Sequence, residues 1–241
     1  MVRSSCPKRA GVSHPKRVDI KGTIGCYMMT TGVANASPVP TERWVTLARE
    51  SHGRFYDTVR ALAPDAFALP SLLPGWTVGH VVAHVARNAD SHTRRLRGAL
   101  AGEEVARYPG GPAQRKRDIE EGSLRPPGEA VSDLLRANRE LESTWERCAA
   151  QAWPGADLFA GDTWPVTDSP VRRLREVEMH HVDMGLGYSV DSWPAEYVGW
   201  ELPQLLATVP GRVASSADAR SLVAWLAGRS ALPEDFRLAA W

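Results

Sequence analysis

Cysteines are few, long hydrophobic runs are missing, and alternating β-branched stretches are scarce. The 241 residues include only Cys6, Cys26 and Cys148, too few and too scattered for a disulfide framework or a cysteine-built zinc site. A reducing, cytoplasmic setting fits that usage. No apolar run approaches the ~20 residues of a membrane span. The N-terminus is basic but has no continuous apolar stretch behind it, so it is a poor signal peptide. The scarcity of alternating β-branched residues argues against a substantial sheet. P-loop, strand-borne GxGxxG, HExxH and GxSxG motifs are all lacking, which sets aside the chemistries they serve.

Charge is nearly balanced at +1 but unevenly spread. Residues 1–28 carry six basic side chains, Arg3 to Lys21, against Asp19 alone, a net +5; the rest of the chain has 23 basic and 27 acidic residues, a net −4. A nucleic-acid binder would place its positive charge on the folded part, so that class is disfavoured. The Gly, Ser, Pro and Lys mix of residues 1–40 predicts disorder, or an extension from a start site placed ahead of Met28 and Met29. Beyond it, 43% apolar and 24% charged residues are ordinary for a globular domain.

From Glu42 the chain reads as helices separated by Pro- and Gly-rich loops. Trp44, Leu47, Ala48, Phe55, Val59 and Leu62 follow a 3.6-residue period. After the turn-rich PSLLPGWT, Thr77 caps a helix over VGHVVAHVARNADSHTRRLRGALA. A polar stretch, 102–128, contains QRKRDIEEGS, which has the makings of a short helix. A further long helix starts near Glu129. Residues 154–167 read as a loop with a short extended piece. The next helix begins after Asp168 or Ser169, with Pro170 in its first turn, and stops at Gly185 and Gly187. Two more helices, 195–208 and 217–228, close the chain. The expected architecture is an all-α four-helix bundle with a long central connection and a short, mainly helical extension over 189–241.

The chemistry lies in two of these helices. In LREVEMHHVDMG, Glu176 and His180 are an i,i+4 pair on one helix face. Leu174, Val177, His181 and Met184 form a separate stripe for the core, which turns His181 away from the pair. Asp183 continues the polar stripe, suited to hydrogen-bond a ligand imidazole. The helix of GHVVAH supplies His84, or else His80 one turn earlier; spacing alone leaves the two tied. Two imidazoles and one carboxylate leave an open coordination position, as in a working zinc site rather than a structural one. Cys148 reads as buried filler, so any thiol chemistry must use an external thiol.

At these residues the chain resembles the mycothiol-dependent maleylpyruvate isomerase family, whose N-terminal part is a DinB-like metal-binding bundle. The resemblance spans about 41–241 and rests on TLARESH, LLPGWTVGHVVAHVARNA, REVEMHHVDMG and LVAWLAGR. It implies zinc, or another divalent metal, on His84, Glu176 and His180, with His84 preferred to His80. It also implies mycothiol as cofactor, and Arg229 of LAGR as the holder of a substrate carboxylate; the bland reading of Arg229 is a helix-terminal cation. The implied reaction is isomerisation of maleylpyruvate to fumarylpyruvate by thiolate addition, rotation and elimination. Small-molecule substrate and low-molecular-weight thiol are the implied partners, with no nucleic acid and no membrane; oligomeric state is not legible. The resemblance divides the chain into an extension (1–40), a metal-binding bundle (41–188) and a shortened segment (189–241). The family's sterol-carrier-like α/β segment has no room in the last 50 or so residues. A mycothiol S-transferase acting on another electrophile, or a non-catalytic metal- or thiol-sensing bundle, are the alternatives.

Overall fold

The computed structural model describes residues 39–153 and 164–239. The expectations for the N-terminal extension and for an extended piece within 154–163 fall outside the described residues. Seven α-helices and no strand occur among those described: α1 (Thr41–Arg60), α2 (Val78–Ala101), α3 (Gly111–Ser123), α4 (Pro127–Ala150), α5 (Ser169–Asp183), α6 (Ala195–Arg212) and α7 (Ser216–Leu226). No helix among them is long and apolar enough to cross a membrane.

Helices α1, α2, α4 and α5 form a DinB-like four-helix bundle, in which α2 packs on α4 and α5, and α1 on α5 and α4. The apolar stripes meet in one core. Leu47, Phe55 and Val59 of α1 join Val78, Val81, Val85 and Leu96 of α2, Leu134, Leu141 and Trp145 of α4, and Leu174 and Val177 of α5. The central connection is more ordered than its polarity suggests. Helix α3 lies on α2, because Gly122 lets the two backbones approach; a Cβ there would meet Ala83 Cβ at 2.8 Å. Helix α6 packs on α5, through a bidentate pair of Arg175 with Glu201 at 2.6 and 2.7 Å, and Glu196 pairs with Arg43 of α1.

Helix ends follow local rules. Thr77 caps α2, with the His80 side chain returning the bond in a capping box. Helix α1 stops at Arg60, before Leu62, because the chain turns into a short 3-10 segment led by Pro64. Helix α6 runs on to Arg212, past the expected Thr208. After α5, Gly185 adopts φ +70° and packs against Leu72. The loop between α1 and α2 is tied to this corner, since Leu72 N donates to Asp183 O at 2.8 Å.

One polar side chain sits in the middle of the core. Arg173 of α5 is fully buried. Its guanidinium donates to His52 of α1 at 3.1 Å, to Val85 O and Asn88 Oδ1 of α2 at 2.9 and 2.8 Å, and to Asn138 Oδ1 of α4 at 2.9 Å. An Arg173→Ala variant would leave these acceptors buried and unpaired around a cavity, so it is expected to lose about 3 kcal/mol of unfolding free energy in urea titrations. A loss below about 1 kcal/mol would contradict the tie.

Candidate metal centre

The tie at Arg173 sets the register of the residues beside it. His84 precedes Val85 on α2, and Glu176 lies one turn beyond Arg173 on α5. His84 Nε2 stands 3.0 Å from Glu176 Oε2, and His180 Nε2 stands 3.6 Å from the same oxygen. The two imidazoles meet edge to face with ring centroids 4.5 Å apart. One ligand atom from each of His84, Glu176 and His180 falls within 4.8 Å of the others, the only such grouping among the described residues. Two nitrogens and one carboxylate oxygen are a fitting donor set for zinc with a position left open.

His80, tied with His84 on spacing, is used differently. Its Nδ1 lies 2.8 Å from Thr77 Oγ1 and accepts from Thr77 N at 3.2 Å, so this histidine serves the helix start. Asp183 Oδ2 is 2.9 Å from His180 Nδ1, the contact expected of a group that fixes a ligand imidazole. His181 faces the core, 2.9 Å from Thr58 and stacked on Tyr188. Cys148 is buried, and that burial pushes its thiol up to about 11. Arg229 is exposed just beyond α7, its backbone N bonded to Ala224 O, and it does not touch the triad.

Two neighbours were not singled out by sequence. Trp76 covers His84 edge-on at 5.6 Å and stacks on His80 at 6.1 Å; it is held by a compact turn in which Ser71 N and Oγ both donate to Trp76 O. Arg115 reaches over from α3, its Nη2 3.2 Å from His84 Nδ1. Glu176 and His180 open onto a cavity of about 450 Å³, walled by Leu73, Met179, Val182, Val190 and Trp193.

The triad is strongly coupled. Burial alone would raise the Glu176 carboxyl, but hydrogen bonds from His180 and His84 outweigh it and hold the group well below its usual range. Burial opposes charge on both imidazoles. It wins at His84, whose pKa is lowered despite Glu176. At His180 the bonds to Asp183 and Glu176 win, and the pKa rises to about 9.

The family model of the mycothiol maleylpyruvate isomerase N-terminal domain matches residues 48–185, which span α1 through α5. The chain belongs to this family. Of the solved structures, a mycothiol-dependent maleylpyruvate isomerase is similar at 30% identity and a TM-score of 0.63, over 67% of each chain. A histidine-to-alanine mutant of such an isomerase matches with the same values. No curated protein matches the chain. The family match ends at Gly185, so His84, Glu176 and His180 lie wholly inside it and Arg229 lies beyond.

His180 leads to a pH prediction. Its pKa of about 9 means that the metal-free protein carries a proton there at neutral pH, whereas a metal requires the neutral ring. Zinc uptake at pH 7.5 should therefore release a proton, seen in weakly buffered solution with an indicator dye. Apparent affinity should rise by up to about tenfold per pH unit between pH 7 and 9. Affinity that is flat over this range would exclude protonated His180 as the resting form.

Proposed function

We propose that this protein is a zinc-dependent maleylpyruvate isomerase that uses mycothiol, with His84, Glu176 and His180 as the metal ligands. The observation that carries the reading is the N, N, O cluster itself, set beside a cavity in a chain whose one described cysteine is buried and unreactive. Family membership supplies the reaction class. The bundle of residues 41–188 is the metal-binding unit, and 189–241 is a shortened segment that braces it. A small-molecule substrate and a low-molecular-weight thiol in the cytoplasm complete the reading.

His84, Glu176 and His180 would hold a divalent metal, which would keep the thiol of mycothiol in its thiolate form for reversible addition to the cis double bond of the substrate. The chain's own residues prepare the place. His84 and His180 present nitrogen lone pairs from two helices, and Glu176 brings one negative charge between them. Asp183 orients His180, Trp76 shields one side of His84, and the apolar wall of the cavity limits water near the double bond. Arg229 as a carboxylate holder rests on the resemblance alone, because it stands exposed beyond α7.

One observation favours a second reading, transfer of mycothiol to another electrophile. The cavity wall is largely apolar, and its arginine, Arg175, is already engaged by Glu201. Two measurements test the site and separate the readings. Purified protein should contain zinc, and a His84→Ala variant should lose it; unchanged zinc content in the variant would reject the site. Maleylpyruvate should convert to fumarylpyruvate only when mycothiol is present. Loss of absorbance through conjugate formation, without the trans product, would select the transferase.

A further inference from the structure

Six of the ten exposed large apolar side chains among the described residues lie on α6 and α7: Val198, Leu202 and Leu206, then Val223, Trp225 and Leu226. On α6 the three recur at every fourth residue and so form one stripe. The adjacent side of α6, with Tyr197 and Glu201 buried, already packs on α5. A helix that is apolar on more than one side is normally covered on each.

Helix α7 has less support still. Its 11 residues bury no side chain, and a helix of that length is marginal in water without packing. The chain beyond it returns to α6, where Ala239 N donates to Arg212 O at 2.9 Å and Arg212 Nε donates to Ala239 O at 2.8 Å. The stretch that carries α7 is thus pinned at both ends to the last turn of α6. The apolar surfaces of the two helices belong to one substructure.

The size and charge of this face point to its partner. The six side chains are between 40% and 66% exposed. Together they offer on the order of 600 Å² of apolar surface, which approaches the about 800 Å² that each partner buries in a standard protein interface. Residues 213–239 carry three basic and three acidic side chains. A face made for an anionic lipid surface would carry an excess of Lys and Arg. A balanced set instead suits a face that meets its own image, where each charge can find the opposite sign across a two-fold axis.

We propose that α6 and α7 form a self-complementary interface through which two copies of this chain pair about a two-fold axis. The stripe of α6 and the apolar side chains of α7 meet the same surface of the second copy, and both helices gain the apolar neighbour that the single chain does not give them. Pairing also braces one wall of the cavity beside the triad, since Val190 and Trp193 lead directly into α6. The interface depends on neither the metal nor the reaction, so it stands or falls separately from the isomerase reading.

Sedimentation equilibrium of the full chain tests the pairing. At about 10 μM the wild type should show twice the 26.4 kDa of one copy. Leu206→Glu and Leu226→Glu should each weaken pairing by about a hundredfold or more, because each charge enters a two-fold interface twice. Both should sediment as monomers, and a cooperative urea transition checks that each is folded. Leu124→Glu, which changes a still more exposed leucine on the central connection, should remain dimeric. A wild type that sediments as a monomer overturns the proposal, and if that monomer binds vesicles of phosphatidylcholine and phosphatidylglycerol the face belongs to a lipid surface instead. A dimer that survives both the Leu206 and the Leu226 variants overturns it as well, because the contact then lies elsewhere.

Discussion

The arrangement of this bundle depends on the buried guanidinium of Arg173. From α5 it reaches side chains on α1 and α4, and a side chain and a backbone carbonyl on α2. Apolar stripes can slide by a turn at modest cost, whereas four directed hydrogen bonds cannot. The register thereby fixed is the one that brings His84, Glu176 and His180 together. Val85, whose carbonyl takes one of the bonds, follows His84 directly, and Glu176 stands a turn along α5 from Arg173. Helices α2, with His84, and α5, with Glu176 and His180, could pack in many phases; this polar tie selects the phase in which Nε2 of His84 and Oε2 of Glu176 meet at 3.0 Å.

A buried cation needs compensation, and here it is supplied at a distance. Burial pulls the Arg173 pKa down to about 10, against the attraction of Glu176, Asp90 and Glu142. Glu142 acts through His52, accepting at 2.6 Å from the ring whose other nitrogen receives Arg173. Glu176 is thus shared: it balances Arg173 from one side and binds the two imidazoles from the other. A carboxylate drawn upon in this way is held well below the usual carboxylate range.

Much of this was legible in the sequence, for particular reasons. The i,i+4 pair of Glu176 and His180 and the core stripe of Leu174, Val177, His181 and Met184 both follow from helical period, and the structure keeps them on separate faces. Thr77 was legible as a cap, although the part that His80 plays in it was not, since a histidine rarely closes a capping box. Arg173 was hidden among Arg172, Arg173 and Arg175, because hydrophobic periodicity has no means of marking a polar residue on the buried stripe. Glu178, fully buried against Arg54 and Tyr188, was missed likewise. Arg115 was hidden for a different reason. Helix α3 buries only Ile119 and Gly122, too weak a pattern to give its phase, and nothing local links QRKRDIEEGS to a histidine on another helix.

Helix α6 is fastened along the outside, by Glu201 to Arg175 of α5 and by Glu196 to Arg43 of α1. It braces the helix that carries Glu176 and His180, and in doing so it occupies Arg175, the arginine that lines the cavity beside them. Past α7 the chain offers Arg229 to solvent, with no contact to the triad. The central connection is placed differently: α3 lies on α2 by way of Gly122 and brings the guanidinium of Arg115 against His84. The connection between α2 and α4 thus becomes part of the site.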